Sequence, residues 1–223
     1  ANLCDRDDIF ETLFMANASI ESGNRTVPLP ESKANGYPLE LPRFYERVYA
    51  LNQIVDVDYY VPGCPPVPSQ CKAAILALVQ ALTGQAPAPP KGAVVGAFER
   101  TLCDDCPRTR TEEKKIKRFY RPWEIMQDPD VCLMEQGIFC AGIATRSGCG
   151  VRCPKSGIPC RGCYGPAPGV VDQGAKLISA VSSIIDSKDP DEIDRILETL
   201  PDFTSFANRY SVATSLLQRS HGQ

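Results

Sequence analysis

Apolar residues recur at helical spacing near the start of the chain. Ile9, Phe10, Leu13 and Phe14 share one face of Asp5–Ala16, which predicts a short helix. From Asn17 to Pro42 the chain is dominated by Asn, Gly, Pro and charge, and it reads as a long surface loop. Leu41–Ile54 places Phe44, Val48 and Leu51 at helical spacing. Val55–Val61 then alternates, with β-branched and aromatic residues, and predicts a strand that stops at Pro62-Gly63-Cys64-Pro65-Pro66. Ser69 is suited to cap a helix lined by Ala73, Ile75, Leu76, Val79 and Leu82, which Gly84 ends. Strand, loop and helix in this order are the repeating piece of an open α/β sheet, and Ala93–Phe98 offers one more short strand after a Pro/Ala linker over Gln85–Pro90.

After Leu102 the periodicity fades. Cysteine, glycine and proline take over until about Gly169, the composition of a scaffold organised by bound metal. Helical patterns return over Val170–Asp186 and Asp191–Leu200, followed by a last stretch to Gln218. The longest apolar run, Ala73–Leu82, contains Gln80 and is too short to span a bilayer. The chain begins at Ala1 without an initiator Met, so a removed secretion signal stays open.

Of the 223 residues, 43% are hydrophobic, enough for a core, and the net charge of −3 argues against a dedicated nucleic-acid binder. The single histidine, His221, lies near the end, where it reads as a tail residue rather than a ligand; general-base chemistry on histidine is thereby disfavoured. The chain carries 11 cysteines, an odd number in a chain with a core of its own, so a disulfide framework is a poor fit.

Eight cysteines cluster in the irregular region: Cys103, Cys106, Cys132, Cys140, Cys149, Cys153, Cys160 and Cys163. Eight thiolates make two sets of four, and thiolates select iron–sulfur clusters or zinc, both of which use four ligands. Three features favour iron–sulfur. Gly and Pro surround the thiols and let backbone amides approach sulfur. Four cysteines fall in the compact run Cys149–Cys163. Ile138, Phe139, Ile143, Ile158 and Tyr164 sit among them and can exclude water. The competing reading is a pair of zinc knuckles in an interaction scaffold, since Cys103/Cys106 and Cys160/Cys163 are CxxC pairs. The same two pairs also match the way a nickel–iron catalytic centre is held, but four further cysteines between them suit clusters better.

The loop Val61-Pro62-Gly63-Cys64-Pro65-Pro66 resembles the one that supplies a proximal-cluster ligand in nickel–iron hydrogenase small subunits, a loop shared with a subunit of respiratory complex I. With Cys132–Cys140, Ala144–Cys149 and Cys160–Pro166, the chain is similar to the cytoplasmic branch of that family over roughly residues 1–185. That branch includes the methyl-viologen-reducing hydrogenases coupled to heterodisulfide reductase and the deazaflavin-reducing hydrogenases of methanogens. The resemblance implies an α/β fold class: residues 1–100 as the C-terminal part of a flavodoxin-like open sheet, and residues 101–223 as an irregular iron–sulfur domain with C-terminal helices.

It further implies that Cys103, Cys106, Cys132 and Cys140 hold a distal 4Fe-4S cluster. Cys149, Cys160 and Cys163 match the medial cluster, with Cys153 as fourth ligand, and Cys64 matches one proximal ligand. Many relatives carry histidine where Cys103 stands, so an all-cysteine distal site is implied. The family's paired N-terminal cysteines and one further proximal cysteine are expected before Ala1, so the chain reads as a fragment, a partly represented subunit or half of a split one, and a third cluster would need ligands from outside it. Cys4 and Cys71 lie outside the family motifs and read as buried or helix-face residues.

The implied function is an electron relay in the cytoplasm. The partners are a nickel–iron large subunit, which holds the catalytic centre and splits dihydrogen, and a downstream cluster- or flavin-bearing subunit. The runner-up is a zinc-stabilised interaction scaffold, and the third reading is an electron-transfer subunit of another oxidoreductase related to complex I. The basic run Arg108–Arg121, with Phe119, Tyr120 and Trp123, is interrupted by Glu112 and Glu113 and reads as a solvated face beside the distal cluster, or as a docking surface for an acidic partner, rather than a nucleic-acid site.

Overall fold

The structure is a computed structural model in which residues 4–20, 26–111, 113, 116–200 and 203–217 are described. His221, residues 21–25 of the expected surface loop, and Glu112, Lys114 and Lys115 of the basic run lie outside the described residues. The chain divides into two units, one running up to Ile54 and the other Val55–Leu217. Together they make a mixed α/β chain with small sheets.

In the first unit, α1 (Arg6–Phe10) continues into a π-helical turn, Glu11–Met15, much as the apolar spacing predicts. Phe10 packs edge-on against Phe14 and Phe44, with ring centroids 5.8 and 5.2 Å away. The expected loop over Asn17–Pro42 contains instead an antiparallel hairpin, β1 (Glu31–Ala34) and β2 (Tyr37–Glu40), with Ala34 opposite Tyr37. Its two-residue turn is Asn35-Gly36, with φ of 51° and 85°, the left-handed pair that matches strand twist. The expected helix over Leu41–Ile54 shrinks to a single turn, α2 (Leu51–Ile54). Phe44 meets Phe10, but Phe44 and Val48 stay half exposed and Leu51 largely so, and a short helix that buries so little of its face has little to hold it.

The second unit opens with β3 (Tyr59–Tyr60), α3 (Pro68–Leu82) and β4 (Ala93–Val94), where β3 and β4 pair in parallel across the helix. The strand expected over Val55–Val61 is therefore two residues long, because its partner offers no more before Gly96 turns the chain at φ 78°. Ser69 does not cap α3; the N-cap is Val67, and Pro68 occupies the first helical position, where its missing N–H costs nothing. Gly84, at φ 71°, follows the last turn as expected.

The remainder is built from short pieces: α4 (Leu102–Asp105), 3-10 turns at Met134–Gln136 and Ala141–Ala144, α5 (Arg152–Lys155), and then α6 (Gln173–Ile184), α7 (Pro190–Glu198) and α8 (Phe203–Ala207). Asp172 caps α6 through Ala175 N, and Asp189 caps α7 through Asp191 N. The core lies here: Leu102, Phe119, Leu133, Ile138 and Leu177 are all at most 2% exposed. Phe139 packs edge-on against Phe203 and Phe206 of α8, at 5.3 and 4.7 Å. Among the described residues no helix is long and apolar enough to cross a membrane.

Candidate metal centre

The Cys103 helix is anchored at its start. Both the backbone N–H and the hydroxyl of Thr101 donate to Asp104 Oδ2 at 2.8 Å, and Leu102 N donates to Thr145 O. Cys132 is fixed by Gln136, whose amide donates to Asp128 O and Val131 O while its carbonyl accepts from Asp128 N. Cys140 leads directly into the turn Ala141–Ala144. These three loops bring Cys103, Cys106, Cys132 and Cys140 to the wall of one cavity of about 30 Å³, lined also by Leu102, Leu133, Gly142 and Pro154. On another side, Cys103, Cys132 and Cys140 border a cavity of about 330 Å³ beneath Ala180, Ser183 and Ile184 of α6.

The second gathering of thiols contains Cys149, Cys153 and Cys163. The Cys163 sulfur also accepts the backbone N–H of Cys64, so the Val61–Pro66 loop closes over this group. Tyr164 strengthens that closure: its hydroxyl accepts the N–H of Val67 at 3.1 Å. Cys160 stands between the groups. Its thiol neighbours those of Cys140 and Cys163, and its backbone N–H donates to Cys140 Sγ at 3.2 Å. Buried Gln173 fixes the loop that carries Cys160 and Cys163, with Nε2 within 3.1–3.4 Å of Thr145 Oγ1 and of the carbonyls of Ala144, Gly162 and Gly165. Cys4 is exposed ahead of α1 and not buried, and Cys71 is half-buried on α3 with its thiol toward Pro66 O.

Burial pushes the Cys103, Cys140 and Cys160 thiols up to about 12, and neighbouring thiols add to the rise at each. Burial also raises Cys132 and Cys163. The Arg110 guanidinium acts the other way on Cys103. Thiols held protonated by burial are poor nucleophiles, and a metal that binds such a thiol displaces its proton.

The donor chemistry fits a thiolate-bound metal centre: four thiols border one cavity, and soft sulfur ligands select iron–sulfur clusters or zinc. Gly142 keeps the approach open: a Cβ there would lie 3.2 Å from Cys103 Sγ and 3.8 Å from Cys140 Sγ.

Sequence patterning misread part of this site. The run Arg108–Arg121 is not a single solvated face. Arg108 donates to the carbonyls of Pro154, Asp128 and Val131 and so ties the Cys153 helix to the Cys132 loop. Arg110 lines the Cys103 cavity, and Ile116 and Phe119 are buried. Arg118 and Arg121 stack on Tyr120 and Trp123. Gln136 and Gln173 also escaped notice; only the placement of Gln136 midway between Cys132 and Cys140 hinted at its role.

No family model matches the chain. It is 34% identical over 226 residues to the F420-non-reducing hydrogenase iron–sulfur subunit of Archaeoglobus profundus, covering 98% of this chain and 67% of that protein. It is 35% identical over 220 residues to an F420-non-reducing hydrogenase subunit of Methanothermobacter thermautotrophicus, covering 97% of this chain and 65% of that one. An F420-non-reducing hydrogenase subunit of Methanothermus fervidus is 41% identical over 118 residues, 51% of this chain and 93% of its own length. The chain thus spans about two thirds of the length of the first two relatives.

Proposed function

The chain belongs to the family of F420-non-reducing hydrogenase iron–sulfur subunits, and from that premise we propose that it carries electrons within a nickel–iron hydrogenase complex. In this reading Cys103, Cys106, Cys132 and Cys140 hold one 4Fe-4S cluster, and Cys149, Cys153, Cys160 and Cys163 hold a second. Cys64 contributes to a third whose remaining ligands come from outside this chain. Residues 1–100 form the end of a flavodoxin-like sheet, with β3–α3–β4 as its visible piece, and residues 101–223 form the cluster domain.

Bound clusters would supply one-electron exchange between a large subunit that oxidises dihydrogen and a downstream oxidoreductase of the heterodisulfide-reductase or deazaflavin type. The residues of this chain hold and insulate them. Thiolates anchor, Leu102, Leu133 and Phe139 exclude water, and main-chain N–H groups such as that of Cys160 donate to sulfur and set potentials. The complex works in the cytoplasm. The observation that supports the reading is the set of four thiols around one cavity, in a chain whose relatives are iron–sulfur subunits.

The test is the content of iron, acid-labile sulfide, zinc and nickel per chain in the anaerobically purified complex. About eight irons with matching sulfide are expected from this chain's clustered cysteines, or about twelve with the third centre, and nickel should accompany them. About two zincs without sulfide would replace this reading with the scaffold.

A further inference from the structure

Gln70 is the third residue of α3, the helix that follows the Cys64 loop. It is only 5% exposed, yet neither Nε2 nor Oε1 has a hydrogen-bond partner. A buried polar group without a partner forfeits its hydrogen bonds to water and gains none in return, so each one calls for an explanation. Gln173 makes the contrast plain, since its buried amide is surrounded by acceptors.

The amide of Gln70 lies on Gly148. A Cβ built on that glycine would fall 2.4 Å from Nε2 and 3.2 Å from Cδ, and its φ of +132° is one that side chains rarely adopt. Space and backbone are thus both shaped to let this amide reach the turn that presents Cys149, the next residue. The thiol of Cys149 in turn neighbours Cys163 and Tyr164, and Tyr164 accepts from Val67, the N-cap of α3. Helix, amide and thiols therefore form one packed group. Both ends of the amide lack a partner; the Nε2 end lies against Gly148, and the next residue, Cys149, carries a sulfur able to accept its N–H.

We propose that Gln70 donates its amide N–H to a sulfur of the cluster held at the Cys149, Cys153 and Cys163 group and thereby raises that cluster's reduction potential. This rests on the cluster reading given above. A donor aimed at sulfur stabilises the reduced state, which carries the extra negative charge, and its removal makes the centre harder to reduce.

The test is an EPR-monitored redox titration of the anaerobically purified complex with wild-type chain, Gln70→Leu and Gln70→Met. The expected result is full iron and sulfide in both variants, with the midpoint of one cluster moved to more negative potential and the others unmoved. Wild-type complex labelled with nitrogen-15 in glutamine side chains should also show a weak nitrogen coupling to a reduced cluster, lost in Gln70→Leu. That measurement needs no variant to assemble, and absence of the coupling in wild type overturns the proposal. Full iron with unshifted or raised midpoints also overturns it and leaves the cluster reading standing, with Gln70 a space-filling residue. Zinc without sulfide in the wild type removes both together.

Discussion

Residues 41–54 carry apolar side chains at helical spacing and leave most of them in solvent, with Tyr45 78% and Leu51 70% exposed. Residues 132–147 carry almost no period and bury Leu133, Met134, Ile138, Phe139, Ala144 and Thr145. The first segment has helix-like pattern but covers little of it beyond the contact of Phe44 with Phe10, and only one turn forms. The second is held by particular bonds between loops: Leu102 N to Thr145 O, Ala141 N to Cys160 O, Tyr120 N to Gly137 O. The difference teaches that order in this chain follows closure around the thiols, and that amphipathic spacing is a poor guide where little of the apolar face is covered.

That contrast can be broken most forcefully at a thiol. Cys140→Ser should reduce the iron of the purified complex by at least about four per chain, and by about eight where the second filling is lost with the first, while Cys4→Ser should leave it unchanged, as iron analysis of the two variants will record. An apolar core truncation should come next. Leu177→Ala, at a position 1% exposed on α6, is expected to destabilise the chain by about 2–5 kcal/mol in denaturant unfolding.

A smaller effect belongs to the cap of α6. Burial alone would raise the Asp172 carboxyl, but hydrogen bonds from Ala175 N, Leu216 N and Ser215 Oγ outweigh it and hold the carboxyl below its usual 3.8. A depressed carboxyl stabilises the fold above its unfolded pKa and ceases to as pH falls through the folded value. Asp172→Asn should therefore cost about 1 kcal/mol at pH 7, and melting curves of variant and wild type should converge below about pH 4. The smallest effect is expected in the exposed segment, where Leu51→Ala should change stability by no more than about 0.5 kcal/mol. A large loss there would show that residues 41–54 are as tightly held as the cysteine region and would dissolve the comparison.

Sequence reading reached the elements that advertise themselves locally. The helices α6 and α7, the end of α3 at Gly84, and the alternation of strand and helix around Cys64 follow from periods and one glycine stop, whereas the Asp caps of α6 and α7 and the true start of α3 at Val67 did not. It missed the hairpin, although Asn35-Gly36 is a strong turn signal, because Pro and charge nearby suggested loop. It overextended β3, whose length is set by its partner rather than by its own alternation. In the site, the gathering of thiols was legible because thiols have few other reasons to cluster. The residues that orient them were not. Arg108 looks like any surface cation until three carbonyls from separate loops are seen to meet it, and Gln70 looks like any helix-face glutamine. Such roles depend on contacts distant in sequence, which no local pattern records.

Cys160 has one further consequence. Its main-chain N–H serves the sulfur of Cys140, its carbonyl accepts from Ala141, and its thiol adjoins Cys163. One residue thus touches both gatherings of thiols, and whatever orders it for one orders it for the other. In the reading proposed above, the two fillings are linked in thermodynamic language: each alters the affinity of the other by the same factor. A partly demetallated preparation would then separate, in native mass spectrometry, into chains that are full and chains that are empty, with half-filled ones scarce.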